Sequence, residues 1–229
     1  MPKAIKKRTA RPAKEEDVKS IIHHAKEFIM EKKRILLPIF IGVTAVSVIT
    51  AGILIYRVTT ANKAAGLELE AYNMYYGLYQ KQPLQKEERY QKALEGFKKA
   101  YENKKSPSSL FYIASCYYSM GKYDEALKAL TELNERFPDD ERFVPLSYYK
   151  MATISIKKGD NEKAVKMLDV IYNYRTSSFK DLALVESARV LNAMGKKEDS
   201  LKKYEELSKN FPASPFFGEA MKKLGEKKS

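Results

Sequence analysis

The side chains able to do acid, base or metal chemistry are few in this 229-residue chain, and their spacing is poor. There is one cysteine, Cys116, and two histidines, the adjacent pair His23 and His24. A helical metal pair needs i, i+4 spacing, whereas neighbours on a helix point about 100° apart. Cys116 falls among apolar residues with no histidine nearby in sequence to act as its base, so it reads as a small core residue. Asp139, Asp140 and Glu141 cluster after Pro138 and read as a helix-start signal rather than an acid–base pair. No glycine-rich phosphate cradle of the GxGxxG or GxxxxGK[ST] type occurs. These residues predict no enzyme, no cofactor, no metal and no small-molecule substrate, and a single thiol cannot form an intrachain disulfide.

The elements around these residues differ sharply from one another. Residues 35–56, ILLPIFIGVTAVSVITAGILIY, contain no charge. A helix of that length is on the order of 33 Å long, slightly more than a bilayer's hydrocarbon core. Lys32, Lys33 and Arg34 precede it and Arg57 follows. The run is too long, and too far from the N-terminus, for a secretory signal, although a small-residue site stands at Thr59-Thr60-Ala61. It reads as one uncleaved transmembrane helix. Positive charge is concentrated before it, which puts the N-terminus in the cytoplasm and residues 57–229 across the membrane. With a prokaryotic source, that is the inner membrane, with the C-terminal domain in the periplasm.

Residues 1–34 form a separate cytoplasmic region. Residues 1–14 carry six positive charges and no acid, and read as a basic tail that sets topology and touches anionic headgroups rather than nucleic acid. Over 15–34, Val18, Ile21, Ile22, Ala25, Phe28 and Ile29 share one face of a short helix, suited to a membrane surface or a partner helix. Pro38 is expected to kink any continuous helix near Arg34.

Beyond the span the sequence repeats. MGKYDEALKALTEL at 120–133, KGDNEKAVKMLDVI at 158–171 and MGKKEDSLKKYEEL at 194–207 align on Gly121, Gly159 and Gly195. Five residues after each glycine stands Ala126, Ala164 or Ser200, and four further on Leu130, Leu168 or Tyr204. Apolar-periodic segments precede each phrase: Leu110 to Tyr118, Tyr148 to Ile156, and Leu184 to Leu191. Such a helix–turn–helix unit, recurring at slightly more than 34 residues, resembles the tetratricopeptide repeat. Leu110, Ile113, Ala114 and Tyr117 match that family's first-helix positions, and Ala126, Leu130, Leu133 and Pro138 match its second. The next copy has Thr176 where the closing proline is usual. A degenerate earlier copy is visible in Tyr90, Ala93, Phe97 and Ala100, with a first helix over Ala64 to Tyr79 and an irregular connection near Gln82-Pro83. A closing helix is expected over Phe216 to Leu224. The fold class that follows is all-α: a single transmembrane helix and then an α-solenoid of three to four helix pairs with a cap.

The resemblance implies a groove lined by the first helices of the pairs. The positions that match are Phe111, Ser115, Tyr118, Tyr149, Thr153, Ile156, Val185, Arg189 and Asn192. The family's carboxylate clamp uses Lys, Asn and Arg there, whereas these are mostly aromatic, aliphatic and hydroxyl residues. They suit an extended apolar segment of another protein. In layout the chain also resembles YfgM-like bacterial inner-membrane proteins, ancillary subunits of the SecYEG translocon. That resemblance implies an adaptor or chaperone with translocon subunits and emerging polypeptides as partners. The alternative is a scaffold subunit of an envelope complex, of the outer-membrane-assembly or Tol-Pal kind. A cytosol-facing import receptor is a third reading, separable by topology.

Overall fold

A computed structural model describes residues 15–79, 84–176 and 178–225. Among them there are helices and turns but no strand. The chain divides after Val58 into two compact units, and each is described by itself.

Helix α1 runs Glu15–Tyr76. In the first unit it passes through Pro38 without interruption, so the expected separate helix over 15–34 is the opening of a much longer one. The apolar side chains of 35–56 are exposed almost throughout, including Phe40, Val48 and Ile55. It is a helix long and apolar enough to cross a membrane, with none of its most apolar window buried. Its few hydroxyls are turned back on the helix. Thr44 donates to the Phe40 and Ile41 carbonyls, Ser47 to Val43 and Thr50 to Val46, which spares each hydroxyl an unmet bond in an apolar surrounding.

In the second unit, the end of α1 and the helices after it stack in antiparallel pairs. These are α2 (Lys86–Asn103), α3 (Pro107–Ser119), α4 (Tyr123–Arg136), α5 (Phe143–Lys157), α6 (Asn161–Tyr172), α7 (Lys180–Ala193), α8 (Lys197–Asn210) and α9 (Phe217–Gly225). The helices preceding the three glycines are α3, α5 and α7, as the periodicity predicted. The first helix of the degenerate copy stops at Tyr76 rather than Tyr79, because Gly77 (φ +71°) takes the chain out of the helix. The connection near Gln82-Pro83 lies outside the described residues. The closing helix is shifted by one residue, to Phe217–Gly225.

The aligned glycines end α3, α5 and α7 in the same way. Gly121, Gly159 and Gly195 have φ of +74°, +79° and +77°, a region that a Cβ disfavours. After each, an N–H reaches back five residues: Lys122 to the Tyr117 carbonyl, Asp160 to Ser155 and Lys196 to Leu191. This is the Schellman closure, and it turns the chain sharply into α4, α6 and α8. Asp160 then caps α6 by accepting the Lys163 N–H, and Ser106 caps α3 through the Ser109 N–H. Asp140, from the acidic loop cluster, accepts the Arg142 and Phe143 N–H groups at the start of α5.

The small residues lie where the paired helices cross. Ala126, Ala164 and Ser200 are buried, and Leu130, Leu168 and Tyr204 fill the space beside them. Ser200 is tolerated because its hydroxyl donates to the Ala188 carbonyl at 2.7 Å. Apolar clusters run along the stack: one from Ala71 to Ile154, one around Ala152, Ala164 and Ala183, and one from Leu184 to Ala220.

Candidate partner-binding groove

The first helices of successive pairs form one row of the stack, and α3 touches α5 directly. Phe111 is half-buried with its ring centroid 5.6 Å from those of Tyr112 and Phe143. Tyr118 is half-buried, 5.7 Å from the Tyr123 ring. Tyr149 is half-buried, and burial raises its phenol pKa, with Glu186 adding to the rise. Thr153 donates its hydroxyl to the Tyr149 carbonyl, and Ile156 is 40% exposed. These five residues of α3 and α5 are half-buried or exposed, at positions that the repeat pattern assigns to a groove.

The other four positions differ. Ser115 is 3% exposed with its hydroxyl bonded to the Phe111 carbonyl, so it packs and offers nothing to a ligand. Val185 is fully buried, in the same cluster as Leu184, Tyr204 and Ala220. The chain's own α9, packed on α8, occupies the place where the first helix of a further pair would stand. Arg189 is spent on that helix: it is bidentate to Glu219, with nitrogen–oxygen distances of 3.0 and 2.5 Å, and also pairs with Glu186 at 2.8 Å. Those carboxylates raise the guanidinium pKa further, and Arg189 in turn lowers that of Glu219. Asn192 is exposed at the end of α7. Of the nine positions, those on α3 and α5 other than Ser115 keep exposed area, whereas on α7 Val185 is buried and Arg189 is paired with α9.

Two features have no signature in the repeat pattern. Lys150, one residue beyond Tyr149, lays its ammonium 5.2 Å from the Phe111 ring centroid and 5.0 Å from that of Tyr118. Burial lowers its pKa, and the two ring faces compensate part of the lost hydration. The row also continues onto the last turns of α1. Leu69 and Tyr72 lie beside Tyr112 and Phe143 in an open cavity of about 440 Å³ that also takes in Glu68 and Arg142. The Tyr72 and Tyr112 rings meet edge to face at 5.5 Å. Extending the groove positions one repeat earlier would have found these residues, but α1 lacks the signature residues that fix the register.

Among the described residues no cluster of three or more His, Cys, Asp or Glu is placed to hold a metal ion. The Cys116 thiol is buried, and burial pushes its pKa up to about 12.

Helix pairs with recurring Schellman turns and small-residue crossings define a helical-repeat scaffold for binding other proteins. Comparison with known proteins agrees. Residues 182–214 match the tetratricopeptide repeat model, and residues 61–133 and 86–171 match the model for anaphase-promoting complex, cyclosome, subunit 3. Among solved structures, a Podosopora anserina protein described as a putative kinesin light chain with nearly identical TPR-like repeats superposes with a TM-score of 0.53. That match is 15% identical and covers 72% of this chain and 85% of the other. A glutamine-to-methionine variant of the same protein gives the same score and coverage at 14% identity. The likeness is one of fold. No curated protein matches the chain. The repeat unit is therefore a TPR-like solenoid, all-helical, with an apolar helix before it.

Proposed function

We propose that this chain is a membrane-anchored adaptor that holds an extended segment of a partner protein against the α3–α5 groove. Residues 35–56 serve as the anchor, the N-terminus faces the cytoplasm, and the repeats work across the membrane, in a bacterium close to the secretion translocon on the periplasmic side. The observation that carries the reading is a largely exposed, uncharged helical run in the same chain as a repeat stack whose α3 and α5 carry the half-buried Phe111, Tyr118 and Tyr149 and the exposed Ile156. Tyrosine and phenylalanine supply contact area at low entropic cost, and tyrosine keeps a polar tip for the peptide backbone. The basic residues clustered before the span support the orientation.

In-cell photo-crosslinking from position 149, with Arg57 and an outward-facing helix position as controls, tests the reading. Adducts with translocon subunits and many secreted proteins are expected. One abundant envelope partner would replace the adaptor with a scaffold, and adducts confined to cytosolic proteins would overturn the topology.

A further inference from the structure

We propose that the N-terminal end of the groove selects a segment presenting a lysine or arginine beside an apolar residue, with the Glu68 carboxylate receiving the cation. This rests on the groove reading above and adds a chemical preference to it. The site is the cavity framed by Glu68, Leu69 and Tyr72 of α1, Tyr112 of α3, and Arg142 and Phe143 where α5 begins. Its floor is apolar and open: Leu69 is 62% exposed and Tyr72 36%. At its edge, Oε1 of Glu68 is shielded from water and accepts no hydrogen bond. Such an oxygen without a donor is costly, and a rotation of the Glu68 carboxylate, which lines the cavity, brings it to the opening where a charged donor relieves it best.

Arg142, which lines the same cavity, does not serve as that donor. Its guanidinium lies over the Phe143 ring, 5.0 Å from the centroid, and Oε1 of Glu68 receives nothing from it. Further along the groove the charge has the opposite sign, since Lys150 and Lys157 both lie over Tyr118. A basic side chain is repelled there and accepted at Glu68, so the charge pattern also sets the register of the bound segment. An apolar neighbour then falls on Leu69, Tyr72 and Phe143.

The test uses the full chain in nanodiscs of zwitterionic lipid, so that basic probes are not drawn to the membrane. Three fluorescein-labelled, acetylated and amidated peptides share a Ser/Gly frame and a Phe-Leu pair, and differ at one adjacent position: lysine, norleucine or glutamate. Fluorescence anisotropy is expected to show the lysine peptide binding about five-fold more tightly than the norleucine peptide, as one ion pair allows. Glu68→Gln, which keeps size and shape, is expected to bring the lysine peptide's affinity down to that of the norleucine peptide. Tyr72→Ala should weaken all three. Equal binding of all three peptides, with Glu68→Gln silent, would overturn the charge preference and leave the groove reading standing. No binding by any peptide, with sedimentation showing the chain paired with a second copy, would overturn both.

Discussion

Burial of Cys116 in α3 keeps its thiol protonated at neutral pH, and a protonated, inaccessible thiol is a poor nucleophile. Maleimide labelling of the native chain should therefore be slow and accelerate by orders of magnitude in urea; fast native labelling would mean that α3 opens readily. Glu219 carries a pH dependence of opposite character. Its pKa is lowered in the folded chain, chiefly by the Arg189 hydrogen bonds, with Tyr204 also donating to it. A lowered carboxylate pKa stabilises the fold above the unfolded-state value and loses that contribution as pH falls through the folded-state value. The docking of α9 should weaken on acidification below the ordinary glutamate range, and Arg189→Ala should flatten that part of the profile, as read by thermal melts against pH. Gly96 is a third such position. A Cβ there would stand 2.8 Å from the Ala71 Cβ, so the helix-propensity gain of about 1 kcal/mol in Gly96→Ala is opposed by overpacking of about 1–3 kcal/mol. A net fall in melting temperature is expected.

Between helices the repeats are fastened by a recurrent bond that fails once. Tyr101 of α2 donates to Glu132 of α4 at 2.8 Å, and Tyr172 of α6 donates to Glu206 of α8 at 2.5 Å. The equivalent positions between α4 and α6 are Asn134 and Val170. Asn134 instead meets the Met151 sulfur at 3.6 Å, its carbonyl oxygen is buried without a partner, and Val170 is partly exposed. Packing follows the same order, with α4 engaging α5 less extensively than α2 engages α3 or α6 engages α7. Tyr101→Phe and Tyr172→Phe should each cost about 1 kcal/mol in urea titrations, the usual value of one such bond. Asn134→Tyr combined with Val170→Glu should restore the fastening and stabilise the stack by a similar amount, whereas either change alone should not.

At the scale of the whole molecule, a net charge of +13 and a pronounced N-terminal basic excess sit beside an uncharged 22-residue run. One arginine at the centre of such a run costs about 2.5–3.5 kcal/mol of insertion free energy. Val46→Arg should move a large share of the chain out of the membrane fraction after carbonate extraction, while a conservative Val46→Leu should leave it there. Retention of the arginine variant in that fraction would mean that residues 35–56 are not the anchor.

How much of this was legible in the sequence depended on whether a feature is local. The glycine phrases announced the turns because a positive φ is a property of one residue and its neighbours, and Gly121, Gly159 and Gly195 close their helices alike. Helical periodicity likewise placed α3, α5 and α7, and the lack of charge marked residues 35–56. The pattern did not show which groove positions remain open, because that depends on residues distant in sequence. Val185 looks like a groove residue until α9 closes over its cluster, and Arg189 looks like a free cation until Glu219 arrives from 30 residues away. The short helix expected over 15–34 is instead the opening of one that continues through Pro38 to Tyr76. The degenerate α1 gave no register from which to foresee Glu68, Leu69 and Tyr72 beside Tyr112 and Phe143. Periodicity and turn chemistry act over one or two helical turns and can be read from the chain, whereas exposure, pairing and the shape of the groove are set by helices meeting across the stack, and only the tertiary structure decides them.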